Sequence, residues 1–415
     1  MRSMFAKSIV LCGMILSSQC LTQELVEENG FIFEEHLVTT SDNYILRLFR
    51  IPGMQEGNDL NSTEYNAIQN KPPVLLQHGL VDSADSWLAH VSSKAPGFVL
   101  ARSGYDVWFG NSRGNKYSLG THVDINQKDY WAFSFEQMGD LDLPAVIDYI
   151  LQVTKQQKLA YMGHSQGTSQ MYYALAENEN YFADKVSVFI ALGPVIRLDH
   201  APSKVFQFVS SNENRKLLID TCNNLGINSI FEANWLTTDS MRLICGAIPQ
   251  ICEYALEFAT DKDPSLDDVS RLQVFFGHYP SGSSVRQIDH YAQIVEAKEF
   301  RRYDYGESGN MQKYNQTVPP LIDITKISRV PIAMFVGNQD EAADAVDNEW
   351  AKTQLKTLAF YQEYALGHSS FFVAKDFSFF TTDVMNVLEK FHPANLTEPL
   401  GEPKLISQNE APINL

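Results

Sequence analysis

Residues 159–167 read Leu-Ala-Tyr-Met-Gly-His-Ser-Gln-Gly, an apolar run that ends at a serine with a glycine two positions to either side. A helix-compatible run, residues 168–177, follows at once. This order predicts a strand, a sharp turn and a helix, with Ser165 at the apex of the turn. Gly163 and Gly167 are expected where a Cβ would clash with neighbouring backbone. A serine held on such a turn is typical of a nucleophile, so Ser165 is the candidate catalytic residue.

The remaining apolar runs have the length of buried strands and alternate with helical patterns. Strands that are apolar throughout and alternate with helices indicate an α/β fold with a mostly parallel sheet, covered by helices on both faces. An antiparallel pair, residues 31–40 and 44–51, is predicted to precede it. The further predicted strands are residues 74–77, 105–109, 186–192, 330–336 and 357–364, and the principal helices are residues 135–154, 344–355 and 377–391.

The alternation of strand and helix patterns stops between residues 196 and 321, a stretch rich in helical patterns and aromatic residues. We therefore expect an inserted, mainly helical cap rather than an independent domain. The predicted organisation is a signal peptide (residues 1–20), a first part of the core (21–195), the cap (196–321), a second part of the core (322–392) and a flexible tail (393–415).

The first twenty residues have the pattern of a secretory signal. Arg2 and Lys7 precede an apolar run, residues 8–16, and small residues lead to a predicted cleavage site after Cys20. The apolar run is much shorter than the ~20 residues that a membrane span needs, so no transmembrane segment is expected. A secreted, extracellular protein is predicted, with the lysosome as the alternative destination.

The net charge excludes one class of partner. The full chain carries −18, and loss of the two basic residues of the signal makes this −20. So acidic a surface argues against nucleic acid and anionic membranes as electrostatic partners. The sequence has no His/Cys/Asp cluster with metal-ligand spacing, and residues 110–114 lack a phosphate-binding pattern. Neither a metal nor a cofactor is therefore predicted.

Three cysteines remain after removal of the signal peptide, and the oxidising environment of a secreted protein allows disulfides to form. Cys245 and Cys252 are close in sequence and flank a short segment, so they are the candidate disulfide, with Cys222 left free. Three buried thiols are the alternative. Asn-x-Ser/Thr sequons predict glycosylation at Asn61, Asn315 and Asn395.

A serine hydroxyl needs a base, and the base needs a carboxylate that holds its tautomer. In this architecture acid and histidine follow the serine in that order, on loops after later strands. His368 follows a predicted strand and a glycine, whereas His392 lies at a helix end, where a histidine usually answers the helix dipole. Asp340 comes directly after a strand and is the candidate acid. Asp344, which opens the next helix, is the fallback.

The oxyanion hole requires two backbone N–H groups aimed at one point. One is expected from Gln166, the residue after the nucleophile, and the other from Leu80, in the loop after the strand at residues 74–77. His78 and His164, which adjoin these donors, are then predicted to be structural rather than catalytic.

At this point the chain resembles the acid lipase family of α/β-hydrolases, which contains the gastric and lysosomal acid lipases. The resemblance runs from about residue 27 to residue 391. It rests on several separate stretches: residues 75–80 (Leu-Leu-Gln-His-Gly-Leu), 106–115 (Asp-Val-Trp-Phe-Gly-Asn-Ser-Arg-Gly-Asn), 131–135 (Trp-Ala-Phe-Ser-Phe), 142–145 (Asp-Leu-Pro-Ala) and 163–167 (Gly-His-Ser-Gln-Gly).

The resemblance implies an α/β-hydrolase fold and supports the same site residues. The family's acid is the first Asp of a G-N-D-x-x-A-D pattern, which residues 337–344 match with one extra residue, and this favours Asp340. The oxyanion donors fall on Leu80 and Gln166. The chain departs from the family's H-L-D-F pattern at the base, where it reads His-Ser-Ser-Phe (residues 368–371), and its cap cysteines are more closely spaced. Any contact that the aspartate of the family's pattern makes is therefore absent from this chain or is made by another residue.

The sequence thus predicts a secreted serine hydrolase that cleaves lipid esters, of triacylglycerol or sterol, through an acyl-enzyme at a lipid–water interface. A carboxylesterase for short soluble esters is one alternative. A lipid-binding or storage relative without turnover is the other, and is disfavoured because the chain keeps all three triad residues.

Overall fold

The computed structural model describes residues 21–54, 70–232 and 235–394. The predicted signal peptide, the tail from residue 395 and the sequons at Asn61 and Asn395 lie outside these residues. Asn315 lies inside them, exposed, at the C-terminal end of a helix.

A nine-stranded sheet forms the centre of the molecule. Its strands are β1 (Glu34–Thr39), β2 (Tyr44–Ile51), β3 (Pro73–Gln77), β4 (Asp106–Gly110), β5 (Gly120–Thr121), β6 (Leu159–His164), β7 (Val186–Leu192), β10 (Ile332–Gly337) and β11 (Leu358–Tyr364). They lie in the order β1-β2-β4-β3-β6-β7-β10-β11, with β5 paired to β2. β2 pairs antiparallel with β1, β4 and β5. All the other neighbouring pairs, β4–β3, β3–β6, β6–β7, β7–β10 and β10–β11, are parallel.

The inner strands of the sheet, β3, β4, β6, β7 and β10, are buried on both faces, as their apolar sequences predict, whereas the outer strands β1 and β11 are partly exposed. Tyr161 of β6 packs into the core on one face, and its neighbours Ala160 and Met162 pack into the core on the other. The helices around the sheet are α1 (Leu21–Glu28), α2 (Pro96–Arg102), α3 (Gln127–Tyr130), α4 (Phe135–Gln137), α5 (Leu143–Thr154), α6 (Gln166–Ala183), α14 (Ala345–Gln354), α15 (Ser370–Val373) and α16 (Met385–Phe391).

The single helix predicted over residues 135–154 is interrupted. A π-helical turn, Met138–Asp142, separates α4 from α5. Pro144 lacks a backbone N–H and cannot donate to the carbonyl four residues earlier, which disfavours a continuous α-helix at this point.

Residues 196–321, which we call the helical insertion, lie between β7 and β10. Two short strands, β8 (Ser229–Ile230) and β9 (Ser283–Ser284), pair antiparallel within it. Its helices are α7 (Lys204–Ser210), α8 (Asn212–Leu225), α9 (Trp235–Ala247), α10 (Pro249–Ala259), α11 (Val269–His278), α12 (Val285–Ala297) and α13 (Gly306–Tyr314).

The cysteines of the helical insertion adopt the predicted arrangement. A disulfide joins Cys245 of α9 to Cys252 of α10, and Cys222 is a buried free thiol. Of the helices in the described residues, not one combines the length and apolar character needed to cross a bilayer.

Candidate active site

Ser165 lies at the tip of a strained turn between β6 and α6. Its backbone φ of 52° and ψ of −119° fall outside the usual helical and extended regions. A Cβ on Gly163 would lie 2.6 Å from the carbonyl carbon of Gly167, and a Cβ on Gly167 would lie 2.4 Å from the carbonyl oxygen of Gln77. Because these neighbours are backbone atoms, both positions require glycine, and the turn can press α6 against the end of β3.

Three side chains predicted from separate parts of the sequence form one hydrogen-bonded chain here. Ser165 Oγ is 2.8 Å from His368 Nε2, and His368 Nδ1 is 2.7 Å from Asp340 Oδ2. Asp340 Oδ1 accepts hydrogen bonds from the backbone N–H groups of Ala342 and Ala343, which fix the carboxylate. In this geometry His368 carries its proton on Nδ1 and presents a free lone pair on Nε2 to the serine hydroxyl.

The charge balance around His368 favours its protonated form. Burial acts to lower the pKa of His368, but the charge and hydrogen bond of Asp340, with smaller contributions from Asp261 and Asp82, outweigh burial and raise the pKa. A raised pKa makes the imidazole a better proton acceptor from serine.

The two alternative residues lie elsewhere. Asp344 caps α14 by accepting a hydrogen bond from the N–H of Val346 at 2.8 Å. His392 contacts Ser187 Oγ and the carbonyl of Pro73, both near the amino ends of parallel strands. Ser165 follows the carboxyl end of β6, so His392 lies at the opposite edge of the sheet.

The predicted oxyanion donors adjoin Ser165. Gln166 opens α6, and the N–H groups of a helix's first turn have no intrahelical acceptor. Gly79, directly before Leu80, is packed so tightly on Ser165 that a Cβ there would lie 3.0 Å from the Cβ of Ser165. The two backbone segments that carry the predicted donors therefore meet at the serine.

His78 and His164 occupy buried positions with backbone partners. His78 Nε2 accepts from the N–H of Ser112, which leaves Nδ1–H to donate to the carbonyl of Gly79. Burial lowers the pKa of His78 to about 4 and holds that of His164 well below its usual value, so both rings are neutral.

Two buried carboxylates that the sequence did not single out also reach the site. Asp261 accepts a hydrogen bond from the N–H of Ser369, and Asp267 accepts one from Ser370 Oγ. Both belong to the helical insertion, far in sequence from His368. The one signal in the sequence was indirect, namely the serine at residue 370 where the family has an aspartate.

Asp199, His200 and Asp347 are the one His/Cys/Asp/Glu group in the described residues whose ligand atoms lie close enough together to suit a metal ion. Arg197 Nε is 3.0 Å from Asp347, and Lys298 Nζ is 2.9 Å from Asp199. These cations already neutralise the carboxylates, so the group is a surface ion-pair network.

Comparison with known proteins agrees with this architecture. The family model described as "alpha/beta hydrolase fold" matches residues 72–375, and the model "Partial alpha/beta-hydrolase lipase region" matches residues 22–91. Both matches confirm the fold class predicted from the sequence.

Similar proteins include lipase member K of Homo sapiens, 34% identical over 357 residues, covering 85% of this chain and 86% of that protein. Gastric triacylglycerol lipase of Rattus norvegicus is 35% identical over 354 residues, covering 84% and 86%. Among solved structures, a bacterial membrane phospholipase A matches with a TM-score of 0.51 at 14% identity, covering 94% of this chain and 99% of that one, which supports the fold alone. On its sequence relatives and its family models, the chain belongs to the acid lipase family of α/β-hydrolases.

Proposed function

We propose that this lipase hydrolyses lipid esters through an acyl-enzyme formed on Ser165. The observation that supports this most directly is the hydrogen-bonded chain from Ser165 Oγ through the His368 ring to Asp340, with distances of 2.8 and 2.7 Å. The relatives named as lipases and gastric triacylglycerol lipase support the substrate class.

The chemistry follows from the geometry. Ser165 Oγ attacks the ester carbonyl carbon while His368 Nε2 takes the hydroxyl proton, and Asp340 stabilises the imidazolium that forms. The carbonyl oxygen becomes an oxyanion, which the N–H groups of Leu80 and Gln166 stabilise. Collapse expels the alcohol, which receives the proton from His368 and leaves an acyl group on Ser165.

The second half repeats these roles with water. His368 takes a proton from the water as its oxygen attacks the acyl carbon, the same N–H groups hold the oxyanion, and collapse returns the proton to Ser165 Oγ. The products are a carboxylic acid and a free enzyme. His368 thus acts as base and acid in turn, which requires the neutral ring at the start of each half-reaction.

We infer that the helical insertion caps the site and contacts the lipid surface. Its exposed face carries large apolar side chains, of which Phe208, Leu225 and Tyr254 are 66%, 69% and 68% exposed. The strongly negative net charge disfavours electrostatic attachment to anionic lipid, so apolar contact is the expected mode of adsorption. Ser165 and His368 are only 8% and 9% exposed, so part of the insertion is expected to move when substrate enters.

The signal pattern of residues 1–20, the Cys245–Cys252 disulfide and the exposed sequon at Asn315 favour a secreted or lysosomal protein.

Labelling with a fluorophosphonate tests the nucleophile. Wild-type protein is expected to become covalently labelled, Ser165→Ala is expected to lose the label, and Ser169→Ala is the matched buried-serine control that keeps it. Absence of labelling in the folded wild type would contradict the proposed function.

Hydrolysis of a triacylglycerol emulsion, compared with the same ester below its solubility limit, tests the substrate. A rate that does not rise when the interface forms would favour the soluble carboxylesterase.

A further inference from the structure

We propose that Asp261 and Asp267 of the helical insertion are positioning residues that hold the His368 loop (residues 365–371) in its working geometry. The proposal rests on the proposed role of His368 as the base. It assigns to one short segment of the insertion, residues 260–268, a direct part in building the site rather than only in covering it.

Asp261 is fully buried against the His368 loop. Its Oδ1 accepts a hydrogen bond from the N–H of Ser369 at 3.1 Å, one residue beyond the imidazole-bearing position. A Cβ on Gly367 would lie only 1.8 Å from the same Oδ1. The carboxylate therefore fills the space beside residue 367, and the loop can pass it only with glycine there. Both neighbours of His368 are thus fixed by one side chain.

The same segment is also paired with the loop that carries Asp340. The N–H of Glu341 donates to the carbonyl of Thr260 at 2.8 Å, and the N–H of Lys262 donates to the carbonyl of Gln339 at 2.9 Å. These two bonds lie on either side of an isolated antiparallel bridge between Asp261 and Asp340. The segment therefore ties the acid and the base of the triad to each other.

Asp267 supports the His368 loop from its other end. Its Oδ1 accepts from Ser370 Oγ at 2.6 Å, and that hydroxyl accepts in turn from the N–H of Gly367 at 2.9 Å. Ser370 stands where the family's H-L-D-F pattern has its aspartate. The carboxylate missing from the His368 loop is thus present in space, carried by the helical insertion.

The cost of burying these groups supports a positional role. Burial, reinforced by the charge of Asp340, raises the pKa of Asp261 to about 6. Burial and the charges of Asp261 and Asp263 raise the pKa of Asp267 to about 7, against the lowering effect of Lys375. Asp267 Oδ2 is buried without a hydrogen-bond partner among the described residues. Other ionisable groups close to Asp261 are His368 and Tyr279. Buried carboxylates that are costly to ionise cluster at functional sites.

The first experiment compares variants of Asp261 in the full chain. Asp261→Ala removes the bond to Ser369 and the packing on Gly367, and kcat is expected to fall by about 100-fold, as misplacement by about 1 Å does. Asp261→Asn keeps the shape and an acceptor, so most of kcat is expected to return. Its acid limb of kcat/KM should move to lower pH, because the charge of Asp261 raises the pKa of His368. Asp263→Asn, an exposed carboxylate of the same segment, is the control and should match the wild type.

A titration of the His368 ring by NMR separates this inference from the proposed function. Its resonance is assigned by comparison with His368→Asn. A lower midpoint in Asp261→Asn than in wild type and Asp263→Asn is expected, whether or not the protein turns over an ester. An unchanged midpoint together with wild-type kcat in Asp261→Ala would overturn the role of Asp261. Should Asp261→Ala fail to fold, the NMR comparison with Asp261→Asn decides.

The second experiment exchanges the partners of the other contact. Asp267→Ser leaves two hydroxyls and Ser370→Asp brings two carboxylates together, so each single variant is expected to lose about 10-fold or more in kcat. The double variant restores one carboxylate facing one hydroxyl and is expected to recover to within a few-fold of wild type. A double variant no better than the singles would overturn the role of Asp267.

Discussion

His164 Nε2 lies 3.0 Å from the backbone carbonyl oxygen of His368, so the residue before the proposed nucleophile contacts the residue proposed as its base. His164 is neutral, because burial holds the pKa of its ring well below the usual value. The hydrogen therefore sits on Nε2, which donates, while Nδ1 is buried without a hydrogen-bond partner in the described residues. The bond joins the nucleophile turn to the His368 loop.

Replacing His164 with phenylalanine keeps the packing of the ring and removes this donor. We expect kcat to fall by about 10-fold, because His368 loses one of its anchors, while the cost of the unpaired buried carbonyl is about 1–3 kcal/mol. Steady-state kinetics and thermal unfolding measure the two effects. His36→Phe is the control, since His36 bonds Tyr149 and Glu34 away from the site. Wild-type kcat in His164→Phe would show that the contact is dispensable.

Gly167→Ala tests the geometry of the nucleophile turn. The new Cβ would lie 2.4 Å from the carbonyl oxygen of Gln77, which is backbone and cannot rotate away. We expect a destabilisation of about 1–3 kcal/mol or more and loss of fluorophosphonate labelling. Gly120→Ala is the control, because its Cβ would meet Ile45 at an ordinary 3.4 Å. A labelled, stable Gly167→Ala would refute the close-approach explanation.

Asp340→Asn and Asp344→Asn distinguish the two acids considered from the sequence. Asparagine at 340 can no longer enforce the Nδ1–H tautomer of His368, so kcat is expected to fall by about 10⁴-fold. At position 344 asparagine still caps α14, and neither kcat nor stability is expected to change appreciably. Kinetics of the two purified variants under one set of conditions make the comparison. A larger loss of kcat in Asp344→Asn than in Asp340→Asn would assign the role of the acid to Asp344.

The pH profile follows from the neutral ring that each half-reaction needs. The pKa of His368 is raised by Asp340, Asp261 and Asp82 against the effect of burial. The ring is therefore protonated, and inactive as a base, up to a higher pH than an isolated histidine. We expect kcat/KM to fall with decreasing pH through an apparent pKa above 6.5, the ordinary histidine value. An acid limb below that value would contradict the charge balance described for the site.

The ionised carboxylate of Asp261 is expected to lower the stability of the folded protein while it positions the His368 loop. Its pKa is raised from the ordinary 3.8 to about 6, so the folded protein binds a proton more tightly than the unfolded chain. Stability therefore falls as pH rises between these values, by about 3 kcal/mol in total. Asp261→Asn removes this penalty and should be more stable than wild type above pH 6, with no difference below about pH 4. Denaturant unfolding at several pH values measures the difference, with Asp263→Asn as the control. Equal stability at pH 7 would show that the carboxylate is better compensated than its surroundings indicate.

Much of the sheet was predictable because each strand carries its own signal. The run at residues 186–192 is apolar at every position except Ser187, which fits a parallel strand buried on both faces, and the observed strand β7 has those bounds. The helix over residues 135–154 was predicted as continuous and is not. The apolar residues at regular helical spacing, Leu143 to Ile150, lie in α5 beyond the π-helical turn at Met138–Asp142, so their spacing carries no information about the turn.

The residues of the candidate site also differ in whether the sequence could predict them. Ser165 has a local signature, because a sharp turn needs glycines at fixed positions around the serine. Asp340 and His368 were placed by chain order and by the ends of predicted strands, which meet at one edge of a parallel sheet. Asp261 has no local signature, because a buried carboxylate in a loop looks in sequence like the exposed Asp263 two residues away.

The sequence by itself determined the family, the fold and the order in which the predicted nucleophile, acid and base occur. These depend on short-range patterns, namely strand periodicity, turn glycines and the residues at strand ends, which operate within a few residues. Only the tertiary structure decided which side chains support His368. Asp261 and Asp267 lie about a hundred residues before it, and their contacts exist only because the helical insertion folds back against the His368 loop. Hydrogen bonds act over about 3 Å in space whatever the separation along the chain, so no pattern of neighbouring residues encodes them.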